Sequence, residues 1–100
     1  MIGKTLNDFI ETLHLGFDME FVYNNKHYII GGFCENGRSY IELNECISEN
    51  ICDDSDLNKY YSLVIDGDSF DECVNKILRI KLINNKTLYE LEKDITVICG

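Results

Sequence analysis

Apolar and polar positions along this 100-residue chain change period several times, and each change marks an element. In residues 5–15, TLNDFIETLHL, the apolar Leu6, Phe9, Ile10 and Leu13 recur at helical spacing and give one apolar face. Thr5 stands where an N-cap is needed, Asp8 occupies the third helical position, and Gly16 is a natural stop. Residues 19–24, MEFVYN, and 27–34, HYIIGGFC, are rich in aromatic and β-branched types and read as strands. The NNK between them is turn chemistry. Asn36-Gly37 is a hairpin signal leading into a third strand over 38–43, RSYIEL. Gly31 and Gly32 inside the second strand predict a bulge or a close approach of another backbone.

The segment 44–59 is the least regular, with Ile47 and Ile51 as anchors for either a short strand or a helical turn. Residues 60–66, YYSLVID, alternate again and predict another strand. Ser69 with Glu72, and Thr87 with Glu90, have capping-box spacing and predict two helix starts. Phe70, Val74 and Ile77 form the face of the first of these helices, and Leu88 with Leu91 that of the second. ITVIC, 95–99, predicts a last strand. The expected fold is a single α+β domain over 1–100. It has an N-terminal helix, an antiparallel meander of three to five strands and two C-terminal helices.

Two stretches carry a resemblance. Residues 68–95, DSFDECVNKILRIKLINNKTLYELEKDI, resemble small proteins of low-GC Gram-positive bacteria and their phages. Ser69, Phe70 and Glu72 echo one helix start of that group, and Lys86, Thr87, Leu88 and Glu90 echo another. EFVYNNKHYIIGG, 20–32, is similar to its first two strands. Asn85 stands where the pattern has Gly, and 44–59 is an acidic insert. The resemblance implies a fold and a bacterial or phage setting and carries no activity.

Charge changes the functional picture more than the elements do. The net charge is −9. Residues 1–41 contribute −2, from three basic and five acidic groups. Residues 42–72 contribute −9, from Lys59 against ten carboxylates, and 73–100 contribute +2, from five basic and three acidic groups. Such a chain is not expected to bind nucleic acid directly, because that binding runs on neutralising phosphates with Lys and Arg. An anionic membrane surface is unsuited for the same reason. No apolar run reaches the ~18 residues of a membrane span, and the N-terminus has no secretory pattern. The expected location is cytoplasmic, with the five cysteines reduced and structural.

Candidate chemistry is sparse. DGDSFDE, 66–72, fails the EF-hand pattern, with Asp71 where Gly is required and Ile77 in place of the final Glu. Cys46 and Cys52 are spaced too widely for a C-x₂₋₄-C zinc knuckle, and His14 and His27 stand far from both. Gly31-Gly32 lacks the remainder of a dinucleotide fingerprint. No catalytic residue, metal ligand or cofactor is nominated, and the chain is expected not to be an enzyme.

Asp71 and Glu72 suit a helix N-terminus, where each carboxylate contributes about 0.3–1 kcal/mol. Capping does not account for Glu45, Glu49, Asp53, Asp54 and Asp56. These five, with Tyr60, are the candidate partner-binding residues. The expected function is a non-enzymatic acidic interaction domain, of inhibitor or immunity type, docking its 42–72 face on a basic, nucleic-acid-binding surface of a protein. The alternatives are a small-ligand or metal-ion binding domain using a sheet face that carries some of Tyr23, Tyr28, Tyr40, Tyr60 and Tyr61, or a structural subunit of a larger assembly. Partner identity and oligomeric state are left open.

Overall fold

A computed structural model describes residues 1–46, 57–67 and 69–99, with backbone alone for 57–60 and 99. The order is α1 (Leu6–His14), β1 (Met19–Tyr23), β2 (Lys26–Glu35), β3 (Arg38–Cys46), β4 (Leu57–Asp66), α2 (Phe70–Arg79), α3 (Leu88–Leu91), a 3₁₀ turn (Glu92–Asp94) and β5 (Thr96–Cys99). This is an α+β fold on a five-stranded antiparallel sheet in the order β4-β3-β2-β1-β5. The expected element order holds, and β4 starts earlier than the alternation at 60–66 indicated. The anchors Ile47 and Ile51 lie outside the described residues.

Asparagine sets the hairpins. Asn24 and Asn25 have φ of 52° and 62°, and Asn36 with Gly37 has 52° and 73°. Two left-handed residues in succession match the twist of the flanking strands, so each pair closes a two-residue hairpin loop. The first fixes Tyr23 opposite Lys26 and the second Glu35 opposite Arg38. Asn84 and Asn85 repeat the conformation at 51° and 59°, inside a tight turn bridged from Ile83 to Lys86. This third turn follows from the same Asn-Asn signal. It also accounts for Asn85 where the resembled pattern has Gly, since both residues tolerate positive φ.

Alternation sends Met19, Phe21, Tyr23, Tyr28, Ile30, Ile41 and Leu43 to one side of the sheet, where the helices cover them. Phe9 and Leu13 of α1 and Cys73, Val74, Ile77 and Leu78 of α2 close over these residues. Phe9 meets Phe21 edge-on at 6.1 Å, and Phe21 stacks on Tyr28 at 5.5 Å. Each large side chain taken fully out of water here stabilises the fold by about 1.5–3 kcal/mol. Thr5 Oγ1 accepts the Asp8 N–H at 3.2 Å and Gly16 ends α1 with φ of 82°.

Two expectations need correction, and a third resolves to one of its two alternatives. The Gly31-Gly32 pair makes no bulge, because β2 pairs with β3 without a break from His27–Cys46 to Glu35–Arg38. The glycines serve close approach instead. A Cβ on Gly32 would stand 2.6 Å from the Phe70 ring and 2.5 Å from the Tyr40 carbonyl oxygen. Ser69 is the N-cap of α2, yet its side chain makes no capping bond. The Thr87 box is complete, with Thr87 Oγ1 accepting the Glu90 N–H and Glu90 accepting the Thr87 N–H. The thiols are not all reduced: Cys46 is in a disulfide, while Cys34 and Cys73 are free. An odd count of five forbids pairing them all, and with Cys34 and Cys73 free the other three leave room for one bridge.

Candidate functional site

Helices cover one side of the sheet. The other side carries Val22 on β1, His27, Ile29, Gly31 and Phe33 on β2, Tyr40, Glu42 and Asn44 on β3, and Ser62 and Val64 on β4. Register aligns Phe33, Tyr40 and Val64 across three strands. Phe33 and Tyr40 stack with centroids 4.7 Å apart and planes at 11°. Phe33 is 47% exposed and Val64 48%. An apolar row on an uncovered sheet face is the kind of patch that marks an interaction surface.

Ion pairs border the row. Arg38 Nε lies 2.9 Å from Asp66 Oδ1 at the hairpin end, and His27 Nε2 lies 3.1 Å from Glu20 Oε2 at the other. Asp18 lies over Gly31, where an added Cβ would collide with its carboxylate. With Ile29, Phe33 and Glu42, these two line a depression of ≈ 220 Å³ on this face. A second, polar groove gathers Tyr23, Asn24, Asn25, Asn84 and Asp94 around the first hairpin loop. Its Asn84 amide donates to the Tyr23 hydroxyl at 3.2 Å, which ties two turns together.

The nominated residues fall in different places. Glu45 is half-buried on β3 opposite Tyr28, on the helix-covered side and away from the aromatic row. Tyr60 lies on β4, its side chain outside the described part. Glu49, Asp53, Asp54 and Asp56 lie outside the described residues. The other described carboxylates of 42–72 are divided between the two sides of the sheet. Glu42 and Asp66 accompany the open face. Asp71 and Glu72 sit in the first turn of α2, where Asp71 accepts a hydrogen bond from His14 Nδ1 at 2.7 Å.

Of the tyrosines, Tyr23 and Tyr28 are buried, Tyr61 flanks the core, and Tyr40 is on the open face. Phe33, Val64 and Asp18 were not nominated from the sequence, although Asn36-Gly37 carried the signal for Phe33. A two-residue loop there sets Glu35 opposite Arg38, which forces Phe33 opposite Tyr40.

Among the described residues no group of three or more His, Cys, Asp or Glu side chains is placed to hold a metal ion. No described helix is long and apolar enough to cross a membrane. Cys73 is fully buried, and its Sγ donates to the Ser39 carbonyl at 3.8 Å. Burial raises its thiol pKa, the neighbouring Cys34 raises it further, and Lys76 opposes both.

No family model, curated protein or solved structure matches the chain. The likeness to small proteins of low-GC Gram-positive bacteria and phages therefore rests on its motifs alone.

Proposed function

We propose that this chain is a non-enzymatic acidic interaction domain, of inhibitor or immunity type in a bacterial or phage setting, that docks on a basic surface of another protein. The observation that carries the reading is the uncovered sheet face with its aromatic row, in a chain whose net charge is −9. Like charges held together repel, and a cationic partner relieves that repulsion and is steered towards it. The carboxylates of 49–56 supply −4 of the net −9, and the sheet face supplies apolar area.

The alternative is binding of a small ligand in the depression on the same face. Salt separates the two. Docking by charge weakens steeply between about 50 and 300 mM salt as screening shortens, whereas seating of a small apolar ligand hardly responds. The test is affinity capture from host lysate at both salt levels. It compares the native chain with one carrying Asp53→Lys, Asp54→Lys and Asp56→Lys together. Capture at low salt only, abolished by the triple change with thermal stability unchanged or raised, supports docking. A triple variant that unfolds shows these groups to be structural and ends the proposal.

A further inference from the structure

β1 begins at Met19, opposite Ile30, whereas β2 runs on to Glu35 against β3. From Gly31 onward, β2 therefore has no strand neighbour on its β1 side among the described residues. The ≈ 220 Å³ depression lies at this step in the sheet. Gly31 forms its floor, and Phe33 is one wall. Phe33 stacks on Tyr40, lines the depression and is 47% exposed, so part of its ring is open to a ligand. The Asp18 carboxylate lies over the floor, in the space a side chain at Gly31 would fill.

An open aromatic face, a carboxylate beside it and room for one long side chain suit a planar cation. Ammonium and guanidinium both answer to the charge. Guanidinium alone also stacks flat, is weakly hydrated and offers paired N–H groups to a carboxylate. Glu35, exposed at the end of β2, adds negative potential near the step. On the open face Arg38 is held by Asp66 at 2.9 Å and His27 by Glu20 at 3.1 Å. Charge complementarity thus favours a basic segment over an acidic or purely apolar one, and nucleic-acid phosphates would be repelled.

We infer that this step takes an arginine side chain from a basic segment of a partner protein, its guanidinium laid on the free face of Phe33 and its N–H groups donating to the Asp18 carboxylate. The inference rests on the docking function above and assigns its specificity to a place other than the 49–56 carboxylates.

The test titrates the ¹⁵N-labelled chain with an oligo-arginine peptide and, separately, with an oligo-lysine peptide of equal length, at low salt. Amide shifts are mapped in the native chain and in Phe33→Ala and Asp18→Asn. Both residues are exposed, and a native-like amide spectrum confirms folding; the map on the native chain needs no variant. The expected result is a shift pattern centred on Asp18, Gly31, Phe33 and Tyr40. The arginine peptide binds more tightly than the lysine peptide, and each variant weakens it by roughly threefold to tenfold. Shifts confined to residues 45–56, equal affinity for the two peptides, or indifference to Phe33→Ala would each overturn the arginine site and leave acidic docking standing. Failure of both peptides to bind at low salt overturns the docking reading itself.

Discussion

Gly32 is the residue at which the helix layer touches the sheet most closely. The Phe70 ring rests on it from one direction and the Tyr40 carbonyl approaches from another. The neighbour on Tyr40 is backbone and cannot swing away. Gly32→Ala is expected to destabilise the fold by about 1–3 kcal/mol, the usual cost of overpacking, seen as a lower urea midpoint. Gly31→Ala meets the far end of the Asp18 side chain, which can turn out to solvent, and should cost less. A larger loss at Gly31 than at Gly32 would contradict this packing. The glycine pair was legible in the sequence as a place of close approach. The identity of the intruder was not, because Phe70 arrives from a distant segment through tertiary packing. Cysteines show the same limit. Cys34 is exposed and Cys73 is buried with its thiol pKa raised. In the native chain, without reductant, a thiol reagent should modify Cys34 quickly and Cys73 only on unfolding. Intact mass should show one disulfide that includes Cys46. Rapid native labelling of Cys46 would refute the bridge.

The two S/T-x-x-E starts separate what a local motif can say from what it cannot. Both have capping-box spacing, and only Thr87 uses it. The difference is backbone conformation. Thr87 is extended, with φ −75° and ψ 166°, which turns its hydroxyl to the Glu90 N–H, whereas Ser69 has ψ of 85° and its hydroxyl makes no such bond. Spacing cannot report ψ. Thr87→Ala is expected to lose about 1 kcal/mol. Ser69→Ala should stay within about 0.5 kcal/mol of the native chain. Thermal or urea unfolding of the two variants decides this, and equal losses would contradict the difference in capping.

The same box predicts a pH response. The Thr87 backbone N–H, together with its hydroxyl and nearby Lys81 and Lys86, holds the Glu90 carboxyl below its ordinary value. A lowered folded pKa means that the unfolded chain takes up the proton first as pH falls. The contribution is therefore complete above the ordinary Glu value of about 4.3 and fades as pH drops through the lower folded value. Glu90→Gln should flatten that acidic limb of the stability curve, with its loss of stability seen at neutral pH and vanishing at low pH. By contrast, both hairpin turns were legible from their Asn-Asn and Asn-Gly pairs, though the first loop is Asn24-Asn25 alone, with Lys26 already in β2, and not NNK.

At the scale of the molecule, helices cover one side of the sheet and leave the other open among the described residues, and the described carboxylates of 42–72 are neighbours in sequence but divided in space. The run over 42–72 suggested a single acidic face. The fold places Glu42 and Asp66 with the bare side, and Glu45, Asp71 and Glu72 with the helices. Alternation and chain reversal separate residues that sequence neighbourhood unites, so the site was only half legible. The excess charge itself survives the division. Arg38–Asp66 and His14–Asp71 are exposed pairs worth at most ~1 kcal/mol each, and nine cations cannot balance eighteen carboxylates. Self-repulsion should then dominate the response of the free chain to salt. Raising NaCl from about 20 to 300 mM shortens screening to within the spacing of surface charges. Repulsion weakens more than the few attractive pairs do, and the melting temperature is expected to rise by roughly a few degrees. Reversing Asp53, Asp54 and Asp56 to lysine should reproduce much of that rise at low salt and blunt the further effect of added NaCl. A melting temperature that falls with salt would mean that attractive pairs outweigh repulsion in the folded chain, leaving no stored repulsion for a cationic partner to relieve.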